Sequence, residues 1–358
     1  MPAQPEQPEQ PVPGTEGVRV PAQDVSVIML AYGVEEYLSD AVAAVLASEG
    51  IDVQLVLVDN GCTSDAVATL PDDPRVQVLR PAENLGFAGG VNLGALEATS
   101  THLAFVNSDA IVAPDALRIL VDEVDVPGRG IVSACVRLAD RPDLVNSVGN
   151  PIHVLGLSWA GGMEEPVAAH QEPREIASAT GACLVVTAEL WRSLGGFPDK
   201  FFAYVEDLEV SWRVWQRGLS VHYVPAAVAD HHYEFSRSPL KMYLVERNRL
   251  LFVLTGYGAR LLALLALPLL AFEVAIFLIA LKEGWWRQKV KGWSWILRNT
   301  GWVRQRRRLV QSTRTVADKD LVSRLTDTFD PAQFPLPAGG GIVQGVLKGY
   351  WRLVRRLV

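Results

Sequence analysis

The first 250 residues predict an α/β fold with a mainly parallel sheet flanked by helices, and three observations carry that reading. Short β-branched apolar runs recur: VSVIML at 25–30, VQLVLV at 53–58 and HLAFV at 102–106. Stretches with helical spacing separate them. The runs are apolar at nearly every position, so each needs cover on both faces, as parallel strands do.

The elements follow in order. Val25–Leu30 is the first strand, and Ala31-Tyr32-Gly33 turns out of it. Glu35–Ala47 has helical spacing. Val53–Val58 is the second strand and runs into Asp59-Asn60-Gly61, where Asn-Gly is a turn signal. Ser64 and Asp65 are candidate caps for a following helix. Val76–Leu79 is the third strand, and the glycine-rich stretch from Asn84 to Gly94 opens a helix that ends near Ala98. The fourth strand, His102–Val106, breaks at Asn107-Ser108-Asp109, resumes at Ile111-Val112 and meets a helix start at Pro114-Asp115.

Ile131–Leu138 is a further strand, and Arg141–Arg174 reads as a loop-like cover over the carboxyl edge of the sheet. Gly181–Thr187 is a strand, and Ala188–Leu194 a short helix ended by Gly195-Gly196. In the helix Glu206–Arg217, Leu208, Trp212 and Trp215 form a buried stripe. Glu209 and Arg213, four apart, read as a solvated salt bridge. Strand Ser220–Val224 leads to Asp230-His231-His232.

Composition bounds the function. The chain has 358 residues, enough for one large domain with appendages, and a net charge of −7, which excludes an obvious nucleic-acid binder. Cys62, Cys135 and Cys183 are odd in number and far apart, with no zinc spacing, and read as reduced thiols. Residues 1–24 read as a disordered tail: Pro-, Gln- and Glu-rich up to Gln23, with neither the basic start nor the apolar core of a signal peptide.

Two stretches carry chemistry. In an open α/β sheet, ligands bind beyond the carboxyl ends of the strands. Asp109 lies there, and a lone carboxylate suits a hard cation such as Mg²⁺, which takes one or two carboxylates plus phosphate oxygens. The other reading of Asp109 is a turn or helix cap. The loop around Gly86 has neither the GxGxxG spacing nor a Walker lysine. Its glycines serve either a close backbone approach to an anionic ligand or helix–sheet packing. Asp207 lies in the first turn of its helix, where acids are also common for dipole reasons alone. A catalytic acid or base needs a carboxylate at such a mouth. The histidine pair reads either as structural or as metal-ligating.

Taken together, VSVIMLAY, VLVDNG, ENLGFAGGVNLG, FVNSDAIV, TGACLVV, GGFPDKFFAYVEDLEVSWRVWQRG and HHYEFSRS resemble the inverting family 2 glycosyltransferases with the GT-A fold. The rhamnosyl- and galactofuranosyl-type branch is the most similar, and the resemblance covers about Val25–Arg249. It implies that Asp59 holds the nucleotide base and that Asn84, Gly86 and Asn107 line the nucleotide-sugar site. It implies that Asp109 is the last position of the metal-binding DxD motif, for Mg²⁺ or Mn²⁺, and that His231 completes the metal shell. Asp207 is then the general base and Glu206 helps to place the acceptor. The chain departs from the pattern in three places. Asn107-Ser108-Asp109 keeps one carboxylate of DxD, Gly33 stands where asparagine is usual, and His231 competes with His232 for one role.

The C-terminal part is basic. Between Lys282 and Arg308 there are nine Lys and Arg and one acid, Glu283. Leu261–Leu281 is long enough to span a bilayer, though Pro268 and Glu273 interrupt it. A single crossing would put the basic segment opposite a cytosolic catalytic domain, against the positive-inside tendency. The favoured reading is therefore helices lying in or dipping into the cytosolic membrane leaflet; a buried core helix is the structural alternative. Val343, Val346, Leu347, Tyr350, Val354 and Leu357 form an apolar stripe opposite Lys348, Arg352 and Arg355, an interfacial pattern or a docking face. Arg247 and Arg249 are candidates to meet a lipid phosphate.

The expected organisation is a tail at 1–24, a GT-A catalytic domain at 25–250, membrane-associated helices at 251–310 and a segment with an amphipathic helix at 311–358. The expected activity is transfer of a sugar from a nucleoside-diphosphate donor to a lipid-linked or cell-envelope glycan. It would take place at the cell membrane with the catalytic domain cytoplasmic. The alternatives are a non-catalytic nucleotide-sugar-binding scaffold and, against the missing glycine fingerprint, a nicotinamide oxidoreductase.

Overall fold

A computed structural model of the protein describes residues 24–233, 238–334 and 340–358. The expected tail, apart from Asp24, and residues 234–237 of the HHYEFSRS stretch lie outside the described residues. The elements are β1 (Val25–Gly33), α1 (Leu38–Leu46), β2 (Val53–Cys62), β3 (Val76–Leu79), α2 (Gly86–Leu96), β4 (His102–Val106), β5 (Ala110–Val112), α3 (Ala116–Val124), β6 (Arg129–Leu138) and β7 (Arg141–Ser147). They continue as β8 (Ile152–His153), β9 (Arg174–Glu175), β10 (Cys183–Thr187), α4 (Ala188–Leu194), α5 (Glu206–Gln216) and β11 (Ser220–His231). The C-terminal part holds α6 (Pro239–Gly256), α7 (Ala259–Glu283), α8 (Trp286–Arg298), α9 (Thr300–Ser312), α10 (Asp318–Leu321), β12 (Leu325–Thr326) and α11 (Gly340–Leu357).

The main sheet has the order β3-β2-β1-β4-β10-β6-β11-β5. Its β3-β2-β1-β4 half is parallel, and so is the β6–β11 pair. β10 runs against both β4 and β6. The reason is topological. β10 enters the sheet beside Val106, the carboxyl end of β4, and a strand entering from that edge must run backwards.

Residues 141–174 are not a plain loop, as expected, but hold β7, β8 and β9. β7 pairs β6 antiparallel with two register shifts, β8 pairs β12, and β9 pairs β11. Such short, irregular strands leave no clean alternation in the sequence. β11 is also longer than expected: it breaks register between Val224 and Val228, around Pro225, and resumes to His231. Proline has no N–H for the ladder, so the apolar pattern is interrupted there while the strand continues.

Side chains alternate across the sheet as period two demands. Ile28, Leu103 and Phe105 enter one core cluster; Val27, Met29, Ala104 and Val106 enter the other. The first cluster continues without a break into Phe252, Tyr257, Leu261, Leu265, Trp351 and Val354. The expected boundary after residue 250 falls inside α6.

Two expected surfaces are buried. Glu209 and Arg213 are not a solvated pair: both are under 5% exposed, and Arg306 of α9 donates to Glu209 Oε1 at 2.6 Å. Arg213 also donates to the carbonyls of Leu194 and Gly196, at 2.6 and 2.7 Å. The cation that makes this burial tolerable comes from 93 residues downstream of Arg213, beyond the reach of a local pattern. In α11, Trp351 and Val354 are buried and Leu347 and Tyr350 half-buried, and Tyr350 Oη donates to the Leu264 carbonyl of α7 at 2.6 Å. Val346 and Leu357 of the expected stripe are exposed, and the Val343 side chain lies outside the described residues.

Candidate active site

The expected site residues gather where β1, β2, β4 and β11 end. Asp59 follows Val58 on β2; its Oδ1 accepts from the Cys62 N–H at 3.0 Å and its Oδ2 lies 3.4 Å from Arg80 Nε. Next to it, Asn60 is buried and was not expected in the site. Asn60 Nδ2 donates to Asn84 Oδ1 at 2.9 Å, and Asn60 Oδ1 accepts from the Leu85 N–H at 2.9 Å. Asn84 Oδ1 in turn accepts from the Gly86 N–H at 2.8 Å. The Asn84–Gly86 loop is thus tied to the end of β2. Gly86 has φ +70°, and a Cβ there would overlap the carbonyl oxygen of Phe202, so glycine is required at this close approach.

Past β4, the Asn107 N–H donates to the Ala182 carbonyl at 3.0 Å, and the Asn107 carbonyl accepts from the Ala110 N–H at 3.1 Å. This tight turn presents Asp109. Ala110 is the register partner of His231, so the antiparallel pairing of β5 and β11 sets the side chains of Asp109 and His231 side by side. His231 Nε2 lies 3.1 Å from Asp109 Oδ1, and His231 Nδ1 lies 2.9 Å from Asn146 Oδ1. The structure therefore brings His231, not His232, to Asp109. His232 contributes its backbone N–H to the Asp109 carbonyl, and its ring stacks on Tyr37 at 3.6 Å.

This pair fits a divalent cation by its own chemistry. With Nδ1 donating to the Asn146 amide oxygen, Nε2 presents a lone pair beside a carboxylate, and a cation satisfies both. Among the described residues no group of three or more His, Cys, Asp or Glu forms a ready-made metal cage. The remaining ligands would have to come from phosphate oxygens and water, as is usual for Mg²⁺. Glu35, read in the sequence only as the start of a helix, stands nearby. Its carboxylate accepts from the Tyr32 N–H at 2.6 Å and meets Ser108, and burial holds its carboxyl above the ordinary range, with the Asp109 charge adding to the rise.

The second pole is the start of α5. Asp207 Oδ1 accepts from the Leu208 N–H at 2.7 Å and Oδ2 from the Gly181 N–H at 3.2 Å. Since the neighbouring Ala182 accepts from Asn107, the two residues 181–182 bridge Asp207 to the turn that carries Asp109. Burial raises the Asp207 carboxyl above its usual value. Glu206 is buried and, among the described residues, its Oε2 has no partner. Burial, with Asp207 beside it, pushes its carboxyl up to about 8.

The loop before α5 is strained. Phe202, Tyr204 and Val205 have φ of 67°, 72° and 73°, a region that non-glycine residues, and β-branched ones above all, avoid. Asn248 of α6, fully buried, holds it: Nδ2 lies 2.9, 2.9 and 2.8 Å from the carbonyls of Phe201, Ala203 and Tyr204. Arg247, expected to meet a lipid phosphate, is buried instead. It donates to the carbonyls of Lys200 and Phe201 at 2.8 and 2.9 Å and stacks on Trp295. Arg249 is buried in an ion-pair network with Glu246 and Glu273.

Residues 26–189 match the family described as Glycosyl transferase family 2. The chain carries a glycosyl transferase family 2 domain. The match holds Asp59, Asn84, Gly86, Asn107 and Asp109 of the site; Glu206, Asp207 and His231 follow it. The chain is 33% identical over 135 residues to the succinoglycan biosynthesis protein ExoO of Rhizobium meliloti, covering 37% of this chain and 36% of that protein. It is 24% identical over 302 residues to the N-acetylglucosaminyl-diphospho-decaprenol L-rhamnosyltransferase of Mycobacterium tuberculosis, covering 76% and 89%. Among solved structures it resembles GalNAc-T7 with UDP, GalNAc and Mn²⁺, at TM-score 0.53 and 15% identity, over 66% of this chain and 48% of that one. That likeness concerns the fold, a GT-A-like α/β architecture.

Proposed function

We propose that this family 2 protein transfers a sugar from a nucleoside-diphosphate donor to a hydroxyl of a lipid-linked or cell-envelope glycan, with inversion at the anomeric carbon. One observation carries the reading: residues 181–182 join Asp207 to the Asn107–Asp109 turn, so both poles open on one sheet edge. Asp59, Asn84 and Gly86 bind the donor. Asp109 and His231 would hold Mg²⁺ or Mn²⁺, which when bound neutralises charge on the leaving diphosphate. The acceptor oxygen forms a bond to the anomeric carbon as the bond from that carbon to the diphosphate oxygen breaks. Asp207 takes the hydroxyl proton. Its raised carboxyl is a better base than an ordinary aspartate. The Glu206 carboxyl, protonated at neutral pH, is free to donate to an acceptor oxygen. The M. tuberculosis relative, by name, takes a decaprenol-linked acceptor and transfers rhamnose, and that supports the lipid-linked class of acceptor.

The test is a screen of nucleotide sugars for saturable binding and for transfer into membrane extract, with Mg²⁺ or Mn²⁺ added. Transfer with release of the nucleoside diphosphate is expected. Tight donor binding with no turnover under any of these conditions would favour the scaffold reading.

A further inference from the structure

Helix α7 has 25 residues and is apolar enough to cross a membrane, yet it carries Glu273 near its middle. That carboxylate is tied to the body of the protein. It accepts from Arg249 of α6, from Lys289 of α8 at 2.9 Å and from Trp293 Nε1 at 2.7 Å. Arg249 and Lys289 both pair with Glu246 of α6 as well. Leu261 and Leu265 at one end and Ala280 at the other are fully buried. The inner face is therefore held over about 20 residues, roughly 30 Å at the helical rise. That is the hydrocarbon thickness of a bilayer, about 30 Å. A crossing would strip the whole length from the body and leave Glu273 unpaired in lipid, a costly state.

The outer face is different. Leu267, Leu270, Val274, Leu278 and Leu281 recur at three- and four-residue steps, one stripe along a helix, and are 46–70% exposed. Scattered exposed leucines are ordinary, whereas a continuous stripe of this length marks an interaction surface. The charges of the same stretch of chain specify the partner. Arg260, Lys282, Arg287, Lys291, Arg298 and Arg308 are exposed, and from Ala259 to Val310 the only acids are Glu273, already paired, and Glu283.

We propose that α7 lies flat in one leaflet of a membrane containing anionic lipid, its outer stripe among the acyl chains and the surrounding cations on the headgroups. This deepens the membrane part of the function proposed above and rests on it. The placement also orients the cleft. Lys291 of α8 lies over the Tyr243 ring of α6 at 4.6 Å, and Lys241 of α6 lies over the Tyr204 ring at 5.4 Å, two residues before Glu206. The acceptor end of the cleft then stands beside the leaflet surface.

The full-length protein is tested by flotation with vesicles of phosphatidylcholine, with or without phosphatidylglycerol. Expected is association that needs phosphatidylglycerol, weakens with salt and falls roughly tenfold or more in L270E/L278E. Circular dichroism checks that this variant is folded, as substitutions on an exposed face permit. Environment-sensitive dyes on single cysteines at 267, 274 and 281, in a Cys62→Ser background, report depth through lipid-borne quenchers. Equal shallow depth at all three is expected. A gradient from one interface through the bilayer centre would overturn the proposal, as would vesicle binding that ignores L270E/L278E, or a stripe buried in a dimer that does not bind vesicles. Vesicle binding needs no turnover, so flat insertion without transfer would sink the enzymatic reading alone, and transfer without insertion would sink this one alone.

Discussion

Asn248 holds Tyr204 in a backbone conformation it would not choose: its Nδ2 lies 2.8 Å from the Tyr204 carbonyl, whose residue has φ +72°. Val205 follows at +73°, and Glu206 begins α5. Left-handed non-glycine residues cost about 1–3 kcal/mol each and persist only when their surroundings over-determine them. Here the buried amide does so, and the strain aims the two carboxylates.

Asn248→Ala should therefore lower turnover by about 100-fold, the cost of misplacing a reacting group by about 1 Å. Donor affinity should fall far less, because the Asn84–Gly86 loop meets the strained segment at Phe202 and not at Asn248 itself. The comparison of kcat with donor Kd reads this directly. An unchanged kcat in a folded variant would mean that the strained loop has no catalytic part.

Asp207→Asn removes the proposed base. Transfer should fall by about 10²–10⁴-fold, while the donor still binds, since Asp59, Asn84 and Gly86 are held by hydrogen bonds to Cys62, to Asn60 and to one another, without Asp207. Calorimetric titration with the nucleotide sugar beside a turnover assay separates the two effects. Retained turnover would remove Asp207 from the mechanism.

Glu206 makes a pH prediction. Its carboxyl ordinarily titrates near 4.5 and is pushed up to about 8 in the fold, by burial first and by Asp207 second. Below about 4.5 both folded and unfolded chains hold the proton and nothing is lost. Between about 4.5 and 8 the unfolded chain releases it and the folded chain does not, so stability falls as pH rises through that window. Asp207, raised in the same direction, adds to the fall. Glu206→Gln removes the Glu206 part, so its melting temperature should gain on the parent between pH 5 and pH 8. Parallel curves would show that the buried carboxyl is not protonated as described.

The sheet and its carboxyl edge were legible because they depend on local pattern: β3 and β4 keep the bounds expected from their apolar runs, and Asp109 and Asp207 fall beside the starts of β5 and α5. What was not legible depends on partners distant in sequence. Arg247 looked like a ligand-seeking cation until α8 laid Trp295 over it. Glu209 looked solvated until Arg306, 97 residues away, covered it. Asn60 and Asn248 carry no sequence signal as polar clamps, because an asparagine after a strand or within a helix has many uses. Asn60 was visible as half of an Asn-Gly turn, and only its burial reveals that it holds the Asn84–Gly86 loop.

Asn146 decides what His231 can do. Its Oδ1 lies 2.9 Å from His231 Nδ1 and accepts from it in the tautomer that would turn the Nε2 lone pair to a cation held beside Asp109. Asn146→Ala frees the ring to take the other tautomer. Outer-shell partners of this kind are worth about 10–100-fold in metal affinity. Mn²⁺ affinity, followed by the spin-resonance signal of the free ion and so independent of turnover, should drop by that factor in Asn146→Ala and further in His231→Ala. His232→Ala should leave it unchanged, because that ring is engaged with Tyr37. A larger loss in His232→Ala than in His231→Ala would reverse the assignment of the two histidines and detach the cation from the β5–β11 pairing.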